Sequence, residues 1–328
     1  MATAGAGEEG WELGGIGGVE QWEVRRAEVV GGFELVAGRL PERDGFGAVD
    51  VELAEVIFFD LYERRSISFD SGDGDRVTAY LYVPNDIVVG EKRAGIVAMH
   101  PTHEIGKGVV DGQGERPNRE YGRELAELGY VVLAPDYVSF GERGGYDFGG
   151  DGYVSGTMKG IWDHLRCVDL LVETSEVDGG RIGAIGHSLG GHNAIFLGLY
   201  DRRVKVVVSS CGWTPFRDYY EGRLSGWSGA RYLPRIEAEY GADPGRVPFD
   251  FYGLVAALAP RAFFSNSPTG DGNFEYRGVE KVVPGARAIY SLYGVPEKLR
   301  LVFPECGHDF PEEVRFEAYR FLGRELGR

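Results

Sequence analysis

The sequence predicts an α/β fold in which a mostly parallel central sheet carries helices on both faces. Two observations predict it. From Gly95 onward, short apolar runs alternate with amphipathic stretches, which is the rhythm of βαβ units. One of these runs, residues 204–209, is almost wholly apolar, as in strands that a parallel sheet buries on both faces.

Composition and charge narrow the function classes. The chain has 328 residues, of which 43% are hydrophobic and 26% charged, as in an ordinary globular enzyme. The formal net charge is −16, and no cluster of Lys and Arg offsets it. Because such a chain repels the phosphate backbone, no nucleic-acid partner is expected. The cysteines are odd in number and far apart, which argues against a disulfide framework. They are Cys167, Cys211 and Cys306.

The N-terminal part of the chain is predicted to form two segments. Residues 1–20, rich in Ala, Gly and Glu, predict a disordered tail. Residues 21–62 have a loosely helical pattern and predict an N-terminal helical segment packed on the main domain. The first 18 residues lack the basic and apolar regions of a signal peptide, and no apolar stretch approaches the roughly 18 residues that span a bilayer. We therefore expect a cytoplasmic protein without a membrane partner, or a secreted one if the N-terminus is incomplete.

The main domain is predicted to cover residues 63–328. Residues 66–69 and 77–83 are β-rich and flank an Asp/Gly-rich turn, which predicts an antiparallel hairpin. Further strands are predicted at 95–100, 130–134, 181–185, 204–209, 261–265 and 299–303. Helices are predicted at 118–128, 157–174, 189–199, 251–258, 276–293 and 312–326.

A long segment at about residues 214–249 interrupts this alternation. It is rich in Arg and aromatic residues and predicts a small insertion over the active site. The aromatic residues suit two roles equally well, part of a substrate pocket or an apolar underside that packs on the sheet. They are Trp213, Tyr219, Tyr220, Trp227 and Tyr232.

The sharpest chemical signal is a Gly-x-Ser-x-Gly motif centred on Ser188. An apolar strand precedes it and a helix follows, which is the context of a nucleophile elbow. In such a turn the serine takes a strained backbone conformation, and the small residues on both sides relieve the crowding. Ser188 is therefore the predicted nucleophile, and the start of the next helix favours negative charge beside it.

A serine nucleophile needs a base, and His308 is the predicted one. In folds built on such an elbow the catalytic residues follow in the order serine, acid, histidine. Of the six histidines only His192 and His308 follow Ser188. His192 lies one turn along the same helix, whereas His308 follows the last predicted strand, where the base belongs.

The acid that orients the base is expected in the loop after strand 261–265. Asp271 is the predicted acid, and Glu275 is the alternative. Asp271 precedes Gly272, so a simple turn-forming role for this aspartate is also open.

The oxyanion hole requires two fixed N–H donors. One is predicted to be the backbone N–H of Leu189, just after the nucleophile. The other is expected from the loop after strand 95–100, where Pro101 has no N–H and Thr102 is the candidate. The histidines of this loop lack the spacing of a metal site, so no metal or other cofactor is expected. Further candidates for substrate contacts are His100, His187, Trp213 and Tyr137.

From residue 64 to the C-terminus the chain resembles the α/β-hydrolase superfamily, and more narrowly its dienelactone-hydrolase and acetyl-xylan-esterase relatives. The Gly186–Gly191 stretch, GHSLGG, matches the elbow of these enzymes, and Gly307-His308 matches the position of the base. Three further stretches carry the resemblance: residues 75–84 before the oxyanion loop, residues 121–142 with their Pro-Asp-Tyr and Gly-Glu pairs, and Leu-Ala-Pro-Arg at 258–261. The resemblance implies the α/β-hydrolase fold and a serine esterase.

Several positions depart from related groups. The oxyanion loop reads His-Pro-Thr-His at 100–103, where His-Gly is commoner. Glucuronoyl esterases carry Arg and Lys where this chain has Leu189 and His192, which argues against their substrate. Dienelactone hydrolases proper use Cys, and dehalogenases Asp, at the position of Ser188.

The expected reaction is hydrolysis of a carboxylic ester, such as an acetyl or other short acyl ester, through an acyl-enzyme and without a cofactor. A serine peptidase related to prolyl oligopeptidase is the first alternative, but the segment before Arg64 is too short for the propeller that usually accompanies it. A non-catalytic binding relative is the second alternative. Such relatives commonly lose the serine or the histidine, and this chain keeps both.

Overall fold

The computed structural model describes residues 13, 15–43 and 47–327. The chain divides into two compact units. Unit 1 comprises Met1–Leu40, Asp147–Met158 and Trp213–Asp309, and unit 2 comprises Pro41–Tyr146, Lys159–Gly212 and Phe310–Arg328. Both units are therefore assembled from stretches that are distant in sequence.

Unit 2 is built on a mixed sheet. Its strands are β1 (Val51–Phe58), β2 (Tyr62–Asp70), β3 (Arg76–Pro84), β4 (Arg93–Met99), β5 (Val131–Pro135), β6 (Val177–His187) and β7 (Val204–Ser210). Their order in the sheet is β1-β2-β3-β5-β4-β6-β7. The pairings from β1 to β5 are antiparallel, and those among β5, β4, β6 and β7 are parallel. The predicted α/β fold with an antiparallel start and a parallel centre is confirmed.

Helices cover the sheet of unit 2. They are α2 (Tyr121–Glu127), α4 (Leu189–Tyr200), α8 (Glu312–Glu325) and most of α3 (Gly156–Glu173). A short 3₁₀ helix, Gly106–Asp111, follows β4. Every residue of α4 except its last is buried, so this helix packs on all of its sides rather than along one stripe. The core of the unit thus surrounds the strand–helix junction that carries Ser188.

Unit 1 contains two long helices, a strand pair and several short helices. The helices are α1 (Val19–Ala37), α5 (Arg235–Ala238), α6 (Phe251–Ala256) and α7 (Tyr276–Leu292), and the strands are β8 (Ala262–Asn266) and β9 (Leu299–Val302). The two strands pair in parallel, with Phe263 opposite Leu299. The loops after these strands are 267–275 and 303–311. Parallel pairing places both loops at the same end of the strand pair.

The predicted helical segment at residues 21–62 is only partly helical. Its first half forms α1, but Val51–Phe58 is a β-strand that pairs with β2 in antiparallel register, Val51 opposite Phe69. The helical interpretation of this stretch was wrong because β1 lies at the end of the strand order and is exposed along most of its length. Such a strand does not show the alternation of buried and exposed residues by which a strand is usually recognised.

The predicted tail, residues 1–20, lies largely outside the described residues. Leu13 is buried, with its side chain 3.5 Å from the position of a Cβ on Gly285, and α1 already begins at Val19. The end of the predicted tail is therefore ordered structure. Within the described parts of the chain, no helix combines the length and apolarity required to cross a bilayer.

The segment predicted as an insertion folds into short helices and an aromatic cluster of unit 1. Two 3₁₀ helices, Tyr219–Gly222 and Leu224–Trp227, precede α5. Trp227 is buried, with its ring 6.1 Å from Phe216 and 5.2 Å from Phe251. Tyr220, by contrast, is 41% exposed. Most of the aromatic residues in this segment thus pack against one another.

Buried histidines give unit 2 an expected sensitivity to acid. Burial lowers the pKa of His164 to about 3, whereas an unfolded histidine titrates near pH 6.5. Between these values the unfolded chain binds more protons than the folded one, so stability falls as the pH drops from about 6.5 towards 3. We expect His164→Phe to remove about 2 kcal/mol of the stability that the wild type loses between pH 7 and pH 5. Urea unfolding at both pH values measures this, and equal losses in the two proteins would contradict it.

Candidate active site

Ser188 lies at a sharp turn between β6 and α4 in unit 2. Its backbone has φ 56° and ψ −117°, a conformation that a residue with a side chain rarely adopts. The turn is held by the Ser188 N–H, which donates to Ser210 O at 2.8 Å, and by Ser188 O, which accepts from the N–H of Gly191 at 2.8 Å. Ser188 itself is half-buried. This is the backbone geometry expected of a nucleophile elbow.

The glycines of the motif are required by space. A Cβ on Gly186 would lie 2.2 Å from the backbone carbonyl of Gly190. A Cβ on Gly190 would lie 2.0 Å from Met99 O, at the end of β4. The backbone of the turn therefore packs directly on β4, which only glycine permits at these positions.

Leu189, the predicted oxyanion donor, is the first residue of α4. Its N–H is among the four at the start of a helix that have no acceptor within that helix. The positive end of the helix dipole lies at the same place and favours a developing negative charge. The position thus suits the predicted role.

The loop after β4 is fixed by His100. Its Nε2 accepts from the N–H of Tyr137 at 3.0 Å, and its Nδ1 lies 2.6 Å from Pro101 O. Because Nε2 accepts, the proton is on Nδ1 and is donated to the carbonyl. Burial lowers the pKa of His100, which keeps the ring neutral. His100 therefore shapes the loop, and Thr102 lies exposed two residues further on.

Three predicted substrate contacts have packing partners. The Nδ1 of His187 lies 2.9 Å from the Ser210 hydroxyl, and the ring is fully buried. Trp213, in unit 1, is 1% exposed and donates its indole N–H to Ser265 Oγ at 2.9 Å. The ring of Tyr137 is buried 2.3 Å from where a Cβ on Gly160 would stand. These contacts favour structural roles for these side chains, and their part in substrate binding stays a prediction.

His308 and Asp271 form a hydrogen-bonded pair in unit 1. The Nδ1 of His308 lies 2.9 Å from Asp271 Oδ2, and the side chain of His308 is 22% exposed, whereas that of Asp271 is fully buried. The second oxygen, Asp271 Oδ1, accepts from the N–H of Asn273 at 2.8 Å and of Phe274 at 3.2 Å. A carboxylate held in this way fixes both the tautomer and the orientation of the imidazole.

Backbone bonds tie the loops that carry this pair. The N–H of Gly270 donates to Cys306 O at 2.9 Å, and that of Thr269 donates to Pro304 O at 2.9 Å. A Cβ on Gly270 would lie 2.8 Å from the same Cys306 oxygen, so the close approach needs glycine. The position of His308 relative to Asp271 is therefore fixed by the chain on both sides.

Glu275, the alternative acid, makes its hydrogen bond at the start of a helix. It is the N-cap of α7, and its side chain accepts from the N–H of Gly278 at 3.3 Å. The contact favours a helix-capping role for Glu275.

Phe274 is a member of the site that the sequence did not indicate. Its ring stacks on the His308 imidazole, with centroids 5.9 Å apart and planes inclined by 22°. The ring also lies 5.6 Å from Tyr219. Phe274 thus joins the histidine to the aromatic cluster, and its only sequence signal is its closeness to Asp271.

A family model for fungal glucuronyl esterases matches residues 146–294, fewer than half of the chain. Ser188 and Asp271 lie within the match, and His308 lies beyond it. The match therefore includes the predicted nucleophile and the predicted acid but ends before the predicted base.

Relatives in sequence include a Bacillus subtilis (strain 168) protein named as a hydrolase, YtaP, which is 28% identical over 66% of this chain and 72% of its own length. Dipeptidyl-peptidase 5 of Porphyromonas gingivalis is 36% identical over 57% of this chain but only 27% of its own length. Among solved structures, a glucuronoyl esterase from Solibacter usitatus superposes with a TM-score of 0.73 at 19% identity, covering 94% of each chain. Its likeness establishes the shared fold.

Proposed function

We propose that this chain is a serine-type carboxylic ester hydrolase of the α/β-hydrolase superfamily, with Ser188, His308 and Asp271 as its catalytic triad. The observation that carries the proposal is the pairing of His308 with a buried Asp271, together with the strained turn at Ser188. Hydrogen bonds within unit 1 hold the His308–Asp271 pair, and hydrogen bonds within unit 2 hold the turn at Ser188. The order along the chain, serine, acid, histidine, is that of the superfamily.

The proposed reaction proceeds through an acyl-enzyme. The Ser188 hydroxyl oxygen forms a bond to the ester carbonyl carbon while its proton passes to His308 Nε2. The carbonyl electrons move to the oxygen, which the N–H groups of Leu189 and Thr102 stabilise. When the tetrahedral intermediate collapses, the C–O bond to the alcohol breaks and the alcohol takes the proton from Nε2. A water molecule then attacks the acyl-enzyme while its proton passes to His308 Nε2. The bond to the Ser188 oxygen breaks, this oxygen takes the proton back, and the carboxylic acid product is released.

Asp271 contributes by holding the imidazole. Its Oδ2 accepts the proton on His308 Nδ1, so that Nε2 carries no proton and can act as the base, and the carboxylate stabilises the imidazolium that forms. The two backbone N–H bonds to Oδ1 keep the carboxylate in one orientation. No part of the cycle needs a cofactor.

For the substrate we propose a short acyl ester, such as an acetate, of a small molecule or a polymer. The solved structures of similar fold include glucuronoyl esterases from Solibacter usitatus and Caldicellulosiruptor kristjansonii. Here the residue after the nucleophile is the apolar, buried Leu189, so this position supplies no cation for an acidic sugar. The proposal therefore departs from the glucuronoyl esters after which those enzymes are named.

A substrate panel tests the assignment. The purified protein is assayed with p-nitrophenyl acetate, butyrate and octanoate, with a sugar acetate, with a methyl glucuronate ester and with an aminoacyl p-nitroanilide. We expect the highest kcat/KM for the acetate esters. Preferred cleavage of the glucuronate ester would overturn the short-acyl assignment, and cleavage of the anilide but of no ester would favour a peptidase.

A further inference from the structure

A buried tyrosine hydroxyl stands between two strands of unit 2 where their pairing stops. The register of β4 and β6 ends at Met99 opposite Gly186. Beyond that pair, the hydroxyl of Tyr121 donates to Met99 O at 2.6 Å and accepts from the N–H of His187 at 3.2 Å. The hydroxyl thus joins a carbonyl of β4 to an N–H of β6, in place of a further direct bond between the strands.

The tyrosine is held in this position by its helix. Arg315 of α8 donates to both carboxylate oxygens of Glu124 in α2, at 2.9 and 2.8 Å, and to Asn118 Oδ1 at 2.7 Å. On another side, a Cβ on Gly122 would lie 2.9 Å from Val110 O, so α2 packs closely on the segment after β4. A residue on a helix fixed in this way has little freedom to move.

The ionisation of Tyr121 is also constrained. Tyr121 is fully buried, and this burial raises the pKa of its hydroxyl. The hydroxyl therefore keeps its proton over the range in which esterases are assayed. It remains a donor to the Met99 carbonyl throughout that range.

The two backbone groups that Tyr121 joins lead directly to the two proposed oxyanion donors. After Met99 the chain enters the loop with Thr102, and after His187 it enters Ser188 and Leu189. Met99 O also faces the elbow, since a Cβ on Gly190 would lie 2.0 Å from it. Any change in the spacing of the two strand ends changes the spacing of the two donors.

We propose that Tyr121 is a positioning residue that sets the separation of the two oxyanion donors through its hydrogen bonds to Met99 and His187. The inference rests on the proposed function, because it assigns the donors to Leu189 and Thr102. Tyr121 does not touch the substrate. Its contribution is to hold the two strand ends at the distance that the tetrahedral intermediate requires.

The test is Tyr121→Phe, which keeps the ring and removes both hydrogen bonds. We expect kcat for p-nitrophenyl acetate to fall about 10- to 100-fold, with KM within about 2-fold of wild type, since misplaced donors weaken binding of the transition state only. A short trifluoromethyl ketone, which forms a tetrahedral adduct with the serine, should lose affinity by the same factor as kcat/KM. A merely structural role would leave that affinity unchanged.

Tyr82→Phe is the matched control. Tyr82 is also fully buried, and its hydroxyl donates to Asp111 Oδ1 at 2.9 Å, so the variant loses a buried hydrogen bond elsewhere in unit 2. We expect it to lower the melting temperature without changing kcat. If Tyr121→Phe does not fold, Arg315→Lys, which loosens α2, is measured instead, with an expected fall in kcat of about 3- to 10-fold.

The possible results separate this inference from the proposed function. If the Ser188→Ala variant hydrolysed the ester at the wild-type rate, the proposed function itself would be contradicted. Turnover that depends on Ser188 but is the same in Tyr121→Phe and wild type would overturn only the role of Tyr121. If Arg315→Lys is measured instead, an unchanged kcat would likewise overturn the role of Tyr121.

Discussion

Ser188→Ala is expected to lower kcat for p-nitrophenyl acetate by about 10⁴-fold or more, because no acyl-enzyme can form without the hydroxyl. The N–H groups of the oxyanion hole remain in the variant, so a small rate above that of water should persist. The fold should be unaffected, since alanine fits the turn wherever serine does. The measurement is steady-state kinetics together with the melting temperature.

A second serine provides the control for this experiment. Ser68 on β2 is also half-buried, and its hydroxyl accepts a hydrogen bond from Arg76 Nε at 3.2 Å. We expect Ser68→Ala to keep the wild-type kcat. An alanine variant at Ser188 that turned over at the wild-type rate would show that the strained turn has no part in catalysis.

Asp271→Asn is expected to lower kcat by about 10⁴-fold while KM changes little. Asparagine has the shape of aspartate, and the N–H groups of Asn273 and Phe274 can still bind its amide oxygen. Its NH₂ would then face His308 Nδ1 and force the proton to Nε2, the atom that must accept the proton of the nucleophile. The kinetic constants are measured on p-nitrophenyl acetate over a range of concentrations that reaches saturation.

The matched control is Glu275→Gln, because Glu275 is the other acid in the same loop. A glutamine can still accept the hydrogen bond from the Gly278 N–H that glutamate accepts now. We expect kcat within about 2-fold of wild type, since the capping contact is kept. A large loss in Glu275→Gln with an active Asp271→Asn would reverse the assignment of the acid.

The features of the elbow were predictable because they are local. The strand, the helix and the glycines around Ser188 all lie within one short stretch of sequence, and the crowding between Gly186 and Gly190 involves neighbouring residues. The antiparallel hairpin of β2 and β3 was predictable for the same reason, since a turn-rich segment of the sequence joins its strands. The structure confirms this pairing.

The partner of His308 was harder to predict. Asp271 and Glu275 lie four residues apart in one loop, and composition does not distinguish them. The distinction comes from the backbone, which turns the first carboxylate towards His308 and places the second at the start of α7. That choice depends on hydrogen bonds between the 267–275 and 303–311 loops, which are distant in sequence.

Other features had no usable signal in the sequence. β1 was misread as helical because an exposed edge strand has no buried face to mark it. Tyr121 could be placed on the buried face of a helix, but not at the gap between two strand ends that it fills. For Trp213 the sequence left a pocket role and a packing role open, and it had no signal for the hydrogen bond of the indole N–H within unit 1.

The most direct test of the account is the rate at which a fluorophosphonate modifies Ser188 in wild type and in His308→Ala. The reagent accepts the serine oxygen and releases fluoride, so its rate depends on a base that takes the hydroxyl proton. If Ser188 and His308 act together, mass spectrometry will locate the adduct on Ser188, and the second-order rate constant will fall at least about 100-fold in the variant. Equal rate constants in the two proteins would contradict the account.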